Sequence, residues 1–161
     1  MRSMTILLSL LAAINVEAQE GQPTNKHFWH TEKTGATPSD IWSIWTDVAN
    51  WSQWDTGLKD ASLKGKFELG AKGSIITLDG RKIQFKVVAY EEGKSYTYRI
   101  GLPLGSLNVR RFLETIDGQT VFTHDVRFKG LTSGIFAKSL GKEFRAMLPE
   151  VLQNIKNIAE Q

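Results

Sequence analysis

The sequence predicts an α+β protein: a curved antiparallel β-sheet of about seven strands wrapped around a long C-terminal α-helix, with two short helices after the first strand. Three observations predict it. From Leu58 to Gly130 the chain is cut by turn residues into short segments that alternate apolar and polar side chains. From Gly134 to Glu160 apolar residues recur at helical spacing. Ahead of both lies a compact helix start, Thr37-Pro38-Ser39-Asp40. Consecutive hairpins make a meander with one apolar face to hide, and a long amphipathic helix is what remains to cover it.

Met1-Arg2 is a short positive start, and Met4 to Ala13 is an apolar run shorter than the ~20 residues a membrane span needs. Val16-Glu17-Ala18 then supplies the residues of a cleavage site. Residues 1–18 are therefore expected to be a signal peptide and residues 19–161 a single domain, periplasmic or secreted, with no membrane span left after cleavage.

His27 to Thr34 reads as the first strand. Thr37 is the expected cap of a helix opened by Pro38, with Ile41, Ile44, Trp45 and Val48 as its apolar face. Asn50 to Trp54 forms a second short helix ending at Asp55-Thr56-Gly57. Strands are predicted at 58–64, 73–78, 81–90, 95–100, 106–116 and 120–129. Asp79-Gly80 and Asp117-Gly118 are hairpin turns, and Glu91-Glu92-Gly93-Lys94 is a longer one. One helix over 134–160 carries Phe136, Leu140, Phe144, Leu148, Val151, Ile155 and Ala159 on a single stripe, kinked at Pro149, which cannot bond the carbonyl of Arg145. A sheet bent around one helix does not close tightly along its whole length, so a cavity is expected between them.

Composition narrows the function. A chain of 161 residues with 41% hydrophobic and 23% charged residues is an ordinary globular domain, neither disordered nor a polytopic membrane protein. The absence of Cys excludes disulfides, thiolate metal sites, cysteine nucleophiles and a lipid-modified cysteine. Basic residues exceed acidic ones by only 20 − 17 = +3, without a basic stripe, which argues against nucleic acid. No metalloprotease, phosphate-loop or nucleophile-elbow motif occurs, and His27 and His30 point to opposite sides of a strand, so no metal is expected. Nucleotide cofactors are not supplied outside the cytoplasm, and none is expected.

Four passages carry a family resemblance. Ala36 to Trp42 (ATPSDIW), Asp47 to Asp55 (DVANWSQWD), Phe67-Glu68-Leu69-Gly70 with Gly73, and Gly118 to His124 (GQTVFTH) occur in an order and spacing that resemble the START and birch-pollen-allergen superfamily, SRPBCC. The likeness covers residues 27–160 and is nearest to members of the polyketide cyclase/dehydrase and lipid-transport type. It implies a helix-grip fold. It leaves function open among lipid carriers, receptors, cyclases and hydrolases.

The candidate site is read from alternation. His124 shares a face with Phe122, Val126 and Phe128, either to orient a ligand or move a proton, or as a structural His bonded to a neighbour. If Leu107, Val109 and Leu113 face inward, so does Arg111 rather than Arg110; it would then meet a ligand's acidic head, or an internal acid such as Asp125, or snorkel outward. Tyr96 and Tyr98, alternating with Thr97 and Arg99, either offer hydroxyls on an apolar cavity wall or face outward as ordinary strand residues. The five Trp read as packing, Trp42 and Trp54 at positions the family uses for its core. Gly101 to Gly105 (GLPLG) is either a lid at a cavity mouth or a hairpin loop tucked on the first helix. Phe85, Tyr98, Leu102, Arg111, His124, Phe136, Leu140 and Phe144 are the expected ligand contacts. The leading reading is a carrier or sensor of one hydrophobic or amphipathic molecule. Its alternatives are a cofactor-independent cyclase, dehydratase or hydrolase with His124 as acid/base, and a protein-interaction module using the GLPLG end.

Overall fold

The sheet begins with a strand that waits for its partner. β1 (His27–Thr34) is followed by α1 (Pro38–Thr46) and a 3₁₀ helix (Val48–Gln53), and only then by the meander: β2 (Leu58–Lys64), β3 (Lys72–Thr77), β4 (Lys82–Glu91), β5 (Ser95–Leu102), β6 (Gly105–Ile116) and β7 (Gln119–Gly130). This is a computed structural model, and it describes residues 22–161; the expected signal peptide lies outside the described residues. All seven strands form one antiparallel sheet in the order β1-β7-β6-β5-β4-β3-β2, so the last strand brings the first into the sheet. The arrangement is the helix-grip fold.

Local chemistry explains the elements. Thr37 accepts the Asp40 N–H while the Asp40 carboxylate accepts the Thr37 N–H at 2.9 Å, a reciprocal cap that opens α1 with Pro38 in its first turn. The carbonyl of Trp45, in the last turn of α1, has no helical partner. It is satisfied by the Trp51 indole N–H at 2.9 Å and the Tyr96 hydroxyl at 3.2 Å, which tie α1 to the 3₁₀ helix and to the sheet.

The C-terminal segment departs from expectation. Instead of one helix kinked at Pro149, the chain forms α2 (Ser133–Ser139) and α3 (Gly141–Ala159), interrupted at Leu140. Pro149 sits on the exposed side inside α3. The interruption falls where the backbone presses on β1: a Cβ on buried Gly141 would lie 3.2 Å from the Asn25 carbonyl and 3.6 Å from the Phe28 ring. At its other end α3 is tethered by Glu160, whose carboxylate accepts the Thr34 hydroxyl at 2.7 Å.

The strands have two sets of ends. One, here the α2 end, gathers the start of β1, the start of β2 at Leu58, the β3–β4 and β5–β6 turns, and the end of β7 where α2 begins. The far end holds the β2–β3, β4–β5 and β6–β7 turns. The core between sheet and helices is packed with aromatic rings, among them Phe85 stacked on Trp51 at 5.3 Å. That stack uses Gly73 in β3, where a Cβ would run into the Phe85 ring and the Ser62 carbonyl. Gly73→Ala is expected to lower unfolding free energy by about 2 kcal/mol through overpacking. Gly35→Ala, where a Cβ meets nothing, should stay within about 0.5 kcal/mol in the same denaturant titration.

Candidate functional site

The register of β6 on β7 decides the site. Val109 lies opposite Val126, and Arg111 opposite His124, so the inward alternation of two apolar strands carries a guanidinium and an imidazole into the interior side by side. Both are fully buried. Arg111 donates from Nη1 to the Tyr96 hydroxyl at 2.6 Å. Its guanidinium carbon lies 4.7 Å from the ring centres of both Trp51 and Trp54, 5.3 Å from Tyr98 and 5.7 Å from Tyr96. Four rings from the 3₁₀ helix region and β5 thus surround one cation, and their negative faces replace part of its lost hydration.

Among the described residues no carboxylate lies within ion-pair distance of Arg111. The expected partner Asp125 points to the opposite face, where its register partner is Arg110 and its carboxylate meets His27 Nε2 at 2.8 Å and Arg127 Nε at 2.9 Å. The acid that acts on Arg111 is Asp55, at the end of the Trp-rich helix pair. Sequence reasoning missed that role, although the acid sits one residue past Trp54.

A cavity opens beside this group, under α3, lined by Asp55, Tyr98, Arg111, His124, Phe144 and Met147 with apolar neighbours. Its volume is about 10 Å³, room for one water molecule. Two buried atoms of lining side chains, Arg111 Nε and His124 Nε2, have no hydrogen-bond partner. Burial, reinforced by Arg111 and His30, holds the His124 pKa well below its usual value, so at pH 7 the ring is neutral. Burial raises the Asp55 carboxyl, with Arg111 and the Gly57 N–H pulling the other way. Burial also raises the Tyr98 phenol and carries Tyr96 up to about 12. Arg111 stays cationic despite burial, favoured by Tyr96, Tyr98 and Asp55.

The other expected contacts are spread out. Tyr98, Arg111, His124 and Phe144 line the cavity. Phe85 is buried in the stack on Trp51, while Phe136 and Leu140 on the α2 segment and Leu102 at the end of β5 are half-buried against the core rim. Pro103 and Leu104 of the GLPLG turn pack against the β7–α2 junction through hydrogen bonds to Thr132 and Leu131, not against α1. Trp42 is half-buried, 5.7 Å from Tyr90. No group of three metal-binding side chains exists among the described residues.

The curved sheet thus grips its helices over an aromatic, partly polar interior. The chain matches the polyketide cyclase/dehydrase and lipid transport family over residues 27–160, and it belongs to that family. A search of curated proteins finds no match. Among solved structures, a hypothetical protein from Helicobacter pylori aligns with TM-score 0.70 at 12% identity, covering 99% of both chains. The di-domain aromatase/cyclase StfQ from the steffimycin biosynthetic pathway aligns with TM-score 0.68 at 13% identity, over 84% of this chain and 51% of that one. Ara h 8.0201 aligns with TM-score 0.64 at 13% identity, over 84% and 98%. At such identities the likeness establishes fold.

The neutral state of His124 has a thermodynamic signature. The unfolded chain protonates this residue near pH 6.5 and the folded chain only at lower pH, so its contribution to stability is complete above that pH and is lost as pH falls. In the window below pH ~6.5 the slope is about 1.4 kcal/mol per pH unit. His124→Gln removes it. The stability gap between wild type and variant, from urea titrations, should therefore shrink by about 1 kcal/mol between pH ~7.5 and ~5.5.

Proposed function

We propose that the protein binds one amphipathic small molecule with an anionic head, held between the sheet and α3, and that it does so after export, as a periplasmic or secreted carrier or sensor. The observation that carries the reading is the pair of buried, unpartnered donor and acceptor atoms, Arg111 Nε and His124 Nε2, on the wall of a cavity otherwise dominated by apolar side chains. A carboxylate placed there would accept from Arg111, and a protonated oxygen could donate to neutral His124. Membership of a family described by cyclisation, dehydration and lipid transport supports the same class of ligand.

A ligand larger than water has to displace side chains. Phe144 and Met147, both half-buried and both on the first half of α3, are the movable part of the wall, and α2 with its interruption at Leu140 is the segment able to swing with them. Binding then selects a more open arrangement whose population the ligand raises.

A second reading, catalysis of the cyclase or hydrolase type, is favoured by one observation: His124 is neutral at pH 7 and presents an unpartnered Nε2 to the cavity, the state a general base requires. His124→Ala separates the two, since turnover of a polyketide-like or ester substrate would disappear while carrier affinity changes only modestly.

Trp51 and Trp54 border Arg111, so intrinsic fluorescence reports on the site. Titration with dodecanoate should saturate, dodecanol of equal chain length should bind at least about tenfold more weakly, and Arg111→Gln should erase that difference, in keeping with the ~1.4 kcal/mol that tenfold represents. Equal affinities for acid and alcohol in the wild type, or no saturation by either, would overturn the anionic-head reading.

A further inference from the structure

We propose that the α2 end of the molecule is a docking surface for a lipid bilayer carrying anionic headgroups. Among the described residues six large hydrophobic side chains are exposed, and four of them gather at this end: Leu78 (68% exposed), Leu104 (74%), Leu131 (88%) and Ile135 (70%). They come from three places in the chain, the β3–β4 turn, the β5–β6 turn and the β7–α2 segment, which the strand order brings to one edge of the molecule. The last two are joined: the Leu131 N–H donates to the Leu104 carbonyl at 3.0 Å, and the Thr132 hydroxyl donates to the Pro103 carbonyl at 2.5 Å. Leu104 is held in the left-handed region, φ 55°, which a leucine rarely adopts, with its side chain in solvent. The two-residue turn between the paired Leu102 and Gly105 sets that φ, while the Leu104 side chain itself stays in solvent.

Charge selects the occupant. At this end stand Lys26, Lys59, Arg81, Lys82, Lys129, Lys138 and Lys142, against the exposed carboxylates Asp60, Asp79 and Glu143, with Arg81 paired to Asp79 at 2.7 Å. The Lys26 side chain runs past Gly134 at 3.5 Å from its Cβ position, one residue before Ile135. At the far end the signs balance, with Glu68, Glu91, Glu92, Glu114, Asp117 and Glu160 against Lys33, Lys64, Lys66, Lys72, Lys94 and Lys156. These groups leave a cation excess at the α2 end and none at the far end. Aliphatic tips raised on two turns and the β7–α2 segment, with cations in excess around them, match a surface that offers phosphate at its face and hydrocarbon just beneath. No helix among the described residues is long and apolar enough to cross a membrane, so the contact is peripheral.

The test is co-sedimentation of the full chain with phosphatidylcholine vesicles, with and without about 30% phosphatidylglycerol. The triple variant Leu104→Asp/Leu131→Asp/Ile135→Asp is compared with a far-end control, Leu69→Asp/Ile116→Asp, and thermal melts confirm that both are folded. Both variants keep residues 1–21 unchanged, so any difference between them reads the patch alone. Wild type and control are expected to bind the anionic vesicles at least about tenfold more tightly than neutral ones, the triple variant to lose at least about tenfold, and raised salt to weaken binding. Equal binding by the triple variant, equal loss by both variants, indifference to phosphatidylglycerol, or a patch-dependent self-association without lipid would each overturn the proposal. None of these outcomes depends on what the cavity binds.

Discussion

The interior of this protein is organised around a buried cation. Removing a guanidinium from water costs several kcal/mol even after the protein relaxes, and a single strand cannot supply what replaces the water. Arg111 is supported by Trp51 and Trp54 from the helix pair, Tyr96 and Tyr98 from β5, and the field of Asp55. These groups must converge for the charge to be tolerated. The same requirement fixes how the two short helices sit on the sheet, because the Tyr96 hydroxyl that accepts from Arg111 also donates to the last turn of α1. Fold and site therefore share one set of contacts.

The neighbouring imidazole is neutral chiefly because it is buried. Arg111, opposite in the register, adds the repulsion of a second positive charge, so the ring stays uncharged and polar. Neutral imidazole, raised phenols, a raised carboxyl and a permanent cation make an interior that is electrostatically uneven within an apolar shell. In its present arrangement the shell closes down to a space for one water, and what bounds that space on the helix side is flexible thioether and phenyl rather than backbone.

Strand positions were legible because each depends on nearest neighbours: the turn dipeptides Asp79-Gly80 and Asp117-Gly118 and the alternation in β4 and β7 locate the hairpins to within a residue or two. Spacing tied Arg111 to the same face as Val109, but only the register and burial settled that this face points inward. Its partners were not legible. Asp125 looked suitable because it lies on the adjoining strand, but alternation sends it to the other face, and the acid that acts on Arg111 comes from the loop after the 3₁₀ helix. The interruption at Leu140 was equally hidden, since the apolar stripe runs through it; it arises where Gly141 meets Asn25 and Phe28, residues more than a hundred positions away.

By itself, then, the order of amino acids determined the strands and their turns, the capping of α1 and the family, because hydrogen bonding, turn conformation and periodicity act over a few residues. Tertiary structure alone decided that a cation would be enclosed by four rings, that His124 would be neutral, that the cavity would shrink to a single water, and that exposed leucines from distant turns would share one end. Those are properties of distance through space, and they come into being only when the sheet bends and brings separate stretches of chain to within a few ångströms.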